Sequence, residues 1–115
     1  MEISPVELRY YQTLSRRVPF EEWFDSLDDS VQAQVDRRLN RLKRGMFGDV
    51  EPIGDGVFEL KLDIGPGYRV YFGRYMKTVV LLLKGGAKKT QSADIATAQG
   101  FWKDYLRRKR QWHDA

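Results

Sequence analysis

Val57-Phe58-Glu59-Leu60-Lys61-Leu62-Asp63, followed by Gly65-Pro66-Gly67 and then Tyr68-Arg69-Val70-Tyr71-Phe72-Gly73-Arg74, is the stretch on which the fold turns. Its period is two. Phe58, Leu60 and Leu62 fall on one side of an extended chain, while Glu59, Lys61 and Asp63 fall on the other. After a tight Gly-Pro-Gly turn the pattern resumes, with Tyr68, Val70 and Phe72 opposed to Arg69 and Tyr71. This predicts an antiparallel hairpin that carries Lys61 and Arg69 on one face. Tyr75 to Thr78 supplies the next turn. Val79 to Lys84 then reads as a strand whose unbroken apolar run implies burial on both faces, ended by Gly85-Gly86.

Working outward, the period changes to that of helices. Pro19 is suited to a first helical turn, and Phe20, Trp23, Phe24 and Leu27 form a one-sided stripe behind it. Ser26 to Asp29 offers caps for a second helix with Val31, Val35, Leu39 and Leu42 inward, stopped at Gly45. Arg37, Arg38, Arg41, Lys43 and Arg44 crowd its C-terminal half, where cations suit the helix dipole. Gly45 to Gly56, with four glycines and Pro52, reads as a loop, and Glu7 to Leu14 as a weak first strand. A last helix begins at Thr90 or Ser92 and places Ile95, Ala98, Trp102, Tyr105 and Leu106 on one face. The basic tail Arg107 to Arg110 is expected to fray. The expected order is β-α-α-β-β-β-α, an α+β fold with a small antiparallel sheet, a helical hairpin and a C-terminal helix. One domain spans 1–115, with its core at about 7–106 and its tail at 107–115.

Bulk composition narrows the function. The chain has no cysteine, so disulfide frameworks and thiolate zinc sites are excluded, and a reducing cytoplasm is the compatible compartment. The longest apolar run, Val79 to Leu83, is too short to cross a bilayer. Net charge is +4, unevenly spread: residues 1–56 carry 8 basic and 11 acidic side chains, whereas residues 57–92 carry 7 basic against Glu59 and Asp63. A cationic sheet half is the footprint of a nucleic-acid-facing surface.

Three segments in order carry a family resemblance. They are Gly54-Asp55-Gly56-Val57-Phe58-Glu59-Leu60-Lys61, Gly65-Pro66-Gly67-Tyr68-Arg69-Val70-Tyr71-Phe72 and Leu81-Leu82-Leu83-Lys84-Gly85-Gly86-Ala87-Lys88-Lys89. With Gly45 to Ile53 upstream, they resemble the RelE/ParE toxin superfamily and, within it, the HigB-like addiction module killer proteins. The resemblance implies a RelE-like core and the toxin half of a type II toxin–antitoxin module. It implies as partners a cognate antitoxin, expected to be a small helix-turn-helix protein, and the ribosome with its mRNA. By position, Arg69 matches the family's hairpin arginine, Lys61 a lysine of the preceding strand with a one-residue offset, and Lys88 the basic residue after the last strand. The tyrosine that some ribonuclease members place early in the last helix has no counterpart, since Asp94 and Ile95 stand there, and the histidines of some HigB-like toxins are missing.

The chemistry implied is metal-free and cofactor-free attack of an RNA 2′-OH on the adjacent phosphate. Such a reaction needs a base, cations for the phosphorane and an acid for the leaving 5′-oxygen. The single histidine, His113, rules out a histidine pair, and no carboxylates cluster at metal-ligand spacing. The expected catalytic set is Lys61, Arg69 and Lys88. Arg69 clamps phosphate through its planar fork. Lys61 is the candidate base, because neighbouring cations favour a neutral amine. Lys88 or Lys84 assists the leaving group. Lys84, Lys89, Arg74 and Tyr71 are the expected RNA contacts, Tyr71 by stacking on a base. Against this stands a plainer possibility for Lys61 and Arg69, a solvated sheet face or cross-strand pairing with Glu59 and Asp63. Two other functions share the fold: a ParE-like toxin that poisons DNA gyrase by protein contact, and an inactive domain that retains only antitoxin binding.

Overall fold

Alternation, capping and glycine placement each leave a visible mark on the architecture. The computed structural model describes residues 4–114, with side chains described to residue 111, so Trp112 and His113 lie outside the described side chains. The elements are β1 (Glu7–Tyr10), α1 (Pro19–Asp25), α2 (Asp29–Lys43), β2 (Val50–Gly54), β3 (Val57–Leu62), β4 (Tyr68–Tyr75), β5 (Val79–Ala87), a 3₁₀ turn (Lys88–Thr90) and α3 (Gln91–Asp114). They form an α+β fold around one five-stranded sheet ordered β1-β5-β4-β3-β2. β2, β3, β4 and β5 pair antiparallel, while β1 lies parallel to β5. The sheet is therefore mixed and one strand wider than expected.

Each face of the sheet is covered. On one face, Phe20 of α1 and Val35, Leu39 and Leu42 of α2 pack with Leu60, Leu62, Val70, Phe72, Val80 and Leu82 of the sheet. On the other, Ala98 and Trp102 of α3 pack with Val57, Tyr71, Leu81 and Leu83, and with Tyr11 from beyond β1. Each fully buried aliphatic side chain contributes roughly 1.5–3 kcal/mol, so these two layers supply the main stabilising term. The Asp28 carboxylate accepts from the Val31 amide at 3.0 Å and starts α2. Gly45, at φ 89, ends it.

Four expectations are corrected. The segment read as a loop contains β2, and its Pro52 is tolerated because β2 is an edge strand. The weak first strand is β1, shorter than Glu7 to Leu14 and parallel to its neighbour. Gly85-Gly86 do not end the sheet: β5 runs through both to Ala87. A Cβ on Gly85 would collide with the Trp23 ring, and one on Gly86 with the Asp94 carboxylate, so these glycines let α1 and α3 approach the strand. Finally, Arg107 to Arg110 do not fray but continue α3. The Asp104 carboxylate anchors that turn by accepting from Tyr11, Arg107 and Arg108.

A register shift opposite Tyr71 and Phe72 decides where one cation points. Tyr71 pairs with Lys84 and Phe72 with Leu82, leaving Leu83 as the extra residue of a bulge on β5. Simple alternation would send Lys84 toward α1 and α2. The bulge turns it onto the α3 side.

Candidate functional site

The α3 side of β3 and β4 gathers the polar residues. Lys61 and Arg69 face each other across the two strands as direct register partners, so they share this side, as the alternation predicts. Neither is unopposed. The Lys61 ammonium lies 3.1 Å from Glu51 Oε1, and the Arg69 Nε lies 3.4 Å from Glu59 Oε1. Glu59 is 1% exposed and also accepts from Gln91 Nε2 at 2.9 Å. Arg69 Nε is buried without a hydrogen bond, so the pair is held by charge rather than by an aligned N–H.

Lys84, delivered by the bulge, meets Asp94 Oδ1 at 2.8 Å, and Asp94 Oδ2 accepts from the Thr90 hydroxyl at 2.6 Å. Asp94 sits in the first turn of α3, where the helix dipole favours an anion. Between the two ion pairs lies Tyr71, wholly buried, with no hydrogen bond to its hydroxyl. Burial first, then the carboxylates of Glu59 and Asp94, push its phenol well above the ordinary tyrosine range. No face of the Tyr71 ring is open to stack a base.

Lys88 and Lys89 are exposed and make no ion pair among the described residues. The Lys88 amide donates to the Gly67 carbonyl at 3.0 Å, tying the end of β5 to the β3–β4 turn. A methyl group placed on Gly67, which sits at φ +88, would lie 3.9 Å from both Arg69 Nη1 and Lys88 Cβ. Arg69 Nη1 and the root of the Lys88 side chain thus both lie beside one bare glycine. Arg74 is elsewhere: its guanidinium lies 4.6 Å from the Phe47 ring centre, on the α1–α2 side, and donates to the Lys77 carbonyl. Of the seven expected residues, Lys61, Arg69 and Lys84 share the α3 side of the sheet, Lys88 and Lys89 follow the end of β5 beside Gly67, Tyr71 is sealed beneath, and Arg74 stands apart.

The carboxylates are what the sequence reading undervalued. Glu59 was visible, since alternation puts it beside Arg69. Glu51 was hidden in the unrecognised β2, and Asp94 met Lys84 only through the bulge. The neighbour of Lys61 is therefore the carboxylate of Glu51, and not the crowd of cations on which the base assignment rested. Among the described residues, no group of three or more histidines, aspartates or glutamates is placed to hold a metal. No helix among them is long and apolar enough to cross a membrane.

A mixed sheet flanked by a helical hairpin on one side and a long C-terminal helix on the other is compatible with the RelE-like toxin fold. The chain belongs to the family described as Phage derived protein Gp49-like (DUF891), which matches residues 22–100. This is a type II toxin family related to the RelE and HigB-like toxins, and its members are often the toxins of toxin–antitoxin systems. The chain is also similar to an uncharacterized protein of Haemophilus influenzae, at 42% identity over 81 residues, covering 70% of this chain and 82% of that one.

Proposed function

We propose that this protein is the toxin of a type II toxin–antitoxin pair and acts in the cytoplasm as a ribosome-dependent mRNA endonuclease, without metal or cofactor. Its antitoxin partner would be a small helix-turn-helix protein. The observation that carries this reading is the position of Arg69 and Lys88 beside Gly67, with Lys61 opposite Arg69 on the neighbouring strand. A scissile phosphate resting over Gly67 would meet the outer nitrogens of Arg69 on one side and the Lys88 ammonium on the other. The 2′-oxygen attacks phosphorus and the bond to the 5′-oxygen breaks. Arg69 carries the charge gathered on the non-bridging oxygens, and Lys88 returns a proton to the leaving 5′-oxygen. Lys61, as the neutral amine, is the candidate acceptor of the 2′-OH proton. Its pair with Glu51 is a surface pair, of the kind worth only about 0–1 kcal/mol, and RNA can displace it.

Induced expression with transcriptome-wide mapping of mRNA 5′ ends tests the proposal. Codon-phased cuts in translated messages are expected, lost in Lys88→Gln at a side chain that is exposed and makes no ion pair among the described residues. Their absence from the wild type refutes nuclease action. The neutralisation of Arg69 by Glu59 and of Lys84 by Asp94 favours a second reading, a toxin that poisons DNA gyrase by contact. Accumulated gyrase–DNA breaks in the same cells would select it.

A further inference from the structure

We infer that the groove between α2 and the β2–β3 edge is a track for the sugar-phosphate backbone of RNA running away from the Arg69–Lys88 site. The inference rests on the RNA reading above and extends it to a surface outside the sheet face.

The groove is an opening of about 490 Å³ that carries Arg37, Arg38, Arg41 and Lys61 against Asp49 and Asp63. Lys61 apart, its cations come from α2 and differ from those of the sheet face. Arg37 and Arg41 are exposed and have no carboxylate partner among the described residues. Arg38 spends its guanidinium on the carbonyls of Met46 and Phe47, pinning the 45–49 loop as one wall. Burial first, and then the nearby Arg41, hold the Arg38 guanidinium below its ordinary value, with Asp49 opposing them.

Continuity supports RNA as the occupant. Lys61 lines this groove and also faces Arg69 across β3 and β4, so a strand held at Arg69 passes Lys61 as it enters. The apolar lining argues against a peptide. Leu62 is buried and Ile64 half-buried, which leaves no pocket for the aromatic or aliphatic anchor that a protein interface needs. A phosphate backbone needs no such anchor and is bound by counterion release. Arginines one helical turn apart present two forks suited to phosphate oxygens.

The test is binding of a fluorescein-labelled 2′-O-methyl RNA, on the order of 16 nucleotides long, which cannot be cut by 2′-OH attack. Anisotropy is followed from low to high KCl for the wild type and for the Arg37→Gln/Arg41→Gln double variant, with Arg38 left in place to hold the loop. Each lost contact removes about 0.7 from the slope of log affinity against log salt, so two remove about 1.4, or about 25-fold in affinity at tenfold below 1 M salt. Thermal midpoints should match, because neither side chain holds the fold. Equal affinity and slope for the two proteins overturn the inference while leaving the RNA reading intact. A wild type that binds no RNA ends both. Oligoglutamate that binds as tightly as RNA, with the same loss in the variant, overturns it in favour of an acidic protein partner.

Discussion

Replacing Glu59 by glutamine changes one atom and should cost more than most surface truncations. The carboxylate is 1% exposed and serves two partners: Oε1 faces Arg69 Nε at 3.4 Å and Oε2 accepts from Gln91 at 2.9 Å. An amide has only one acceptor oxygen. If it turns toward Gln91, its NH₂ confronts the Arg69 guanidinium; if it turns toward Arg69, the NH₂ confronts the NH₂ of Gln91. Either way one buried donor faces another, and Arg69, itself 12% exposed, loses its only carboxylate partner among the described residues. Breaking a buried pair on one side costs about 3–5 kcal/mol. Because Arg69 keeps some contact with water, we expect about 3 kcal/mol. Urea unfolding of the wild type, Glu59→Gln, Arg69→Gln and the double variant gives the coupling directly. The double variant should be less destabilised than the sum of the singles by more than about 1 kcal/mol. A single-variant loss below about 1 kcal/mol, or additive singles, would refute the argument that the carboxylate is held there by the cation.

Other elements make equally direct predictions. Gly73→Ala drives a Cβ into the Trp102 ring and should cost about 1–3 kcal/mol with an altered tryptophan near-ultraviolet signal, whereas Gly100→Ala, an exposed helical site with nothing within 4 Å, should stabilise by about 0.5–1 kcal/mol. Burial, reinforced by the hydrogen bond to Asp104, pushes the Tyr11 phenol up to about 12. The folded value exceeds the unfolded one near 10, so this contribution is complete below about pH 10 and is lost as pH rises toward 12. Tyr11→Phe should therefore flatten the fall in stability across that window, as denaturant melts at several pH values would show. Asp28→Ala removes the cap on the Val31 amide and should lower stability by about 1 kcal/mol in thermal melts, with Asp28→Ser largely restoring it.

Much of the fold is legible because single residues dominate their own neighbourhoods. Phe58, Leu60 and Leu62 could only be one face of a strand, and Val35, Leu39 and Leu42 only one face of a helix. The hairpin that pairs Lys61 with Arg69 follows from these alternations. What stayed hidden depends on residues distant in sequence. Pro52 and the flanking glycines mask β2, because local propensity does not register that an edge strand has a side free of ladder bonds. Gly85 and Gly86 look like a stop until Trp23 and Asp94 are known to pack where their side chains would be. The continuation of α3 past Arg107 depends on Asp104, whose acceptors serve Tyr11 from the other end of the chain. For the candidate site, the cations were readable from alternation and their partners were not. Glu51 lies in the masked strand, and Asp94 reaches Lys84 only through the β5 bulge.

The distribution of partners divides the cations by task. A buried ion pair is a poor source of stability, because desolvation offsets most of the attraction, but it does fix geometry. Glu59 holds the Nε edge of Arg69 from inside the protein, while Nη1 is the nitrogen that lies toward Gly67. A planar fork can satisfy an internal carboxylate with one edge and offer the other to a ligand, which an ammonium cannot. An incoming phosphate therefore need not displace Glu59 to engage Arg69. The same pairing cancels the long-range field of the sheet face, since Lys61, Arg69 and Lys84 each stand beside a carboxylate. Attraction over distances comparable to the Debye length must come from cations without such neighbours. Arg37 and Arg41 on α2 and Lys88 and Lys89 after β5 are exposed cations of that kind. If the proposed RNA substrate is right, capture of the polyanion and placement of one of its charges fall to different residues, and substitutions in the two sets should separate salt-dependent association from whatever chemistry follows it.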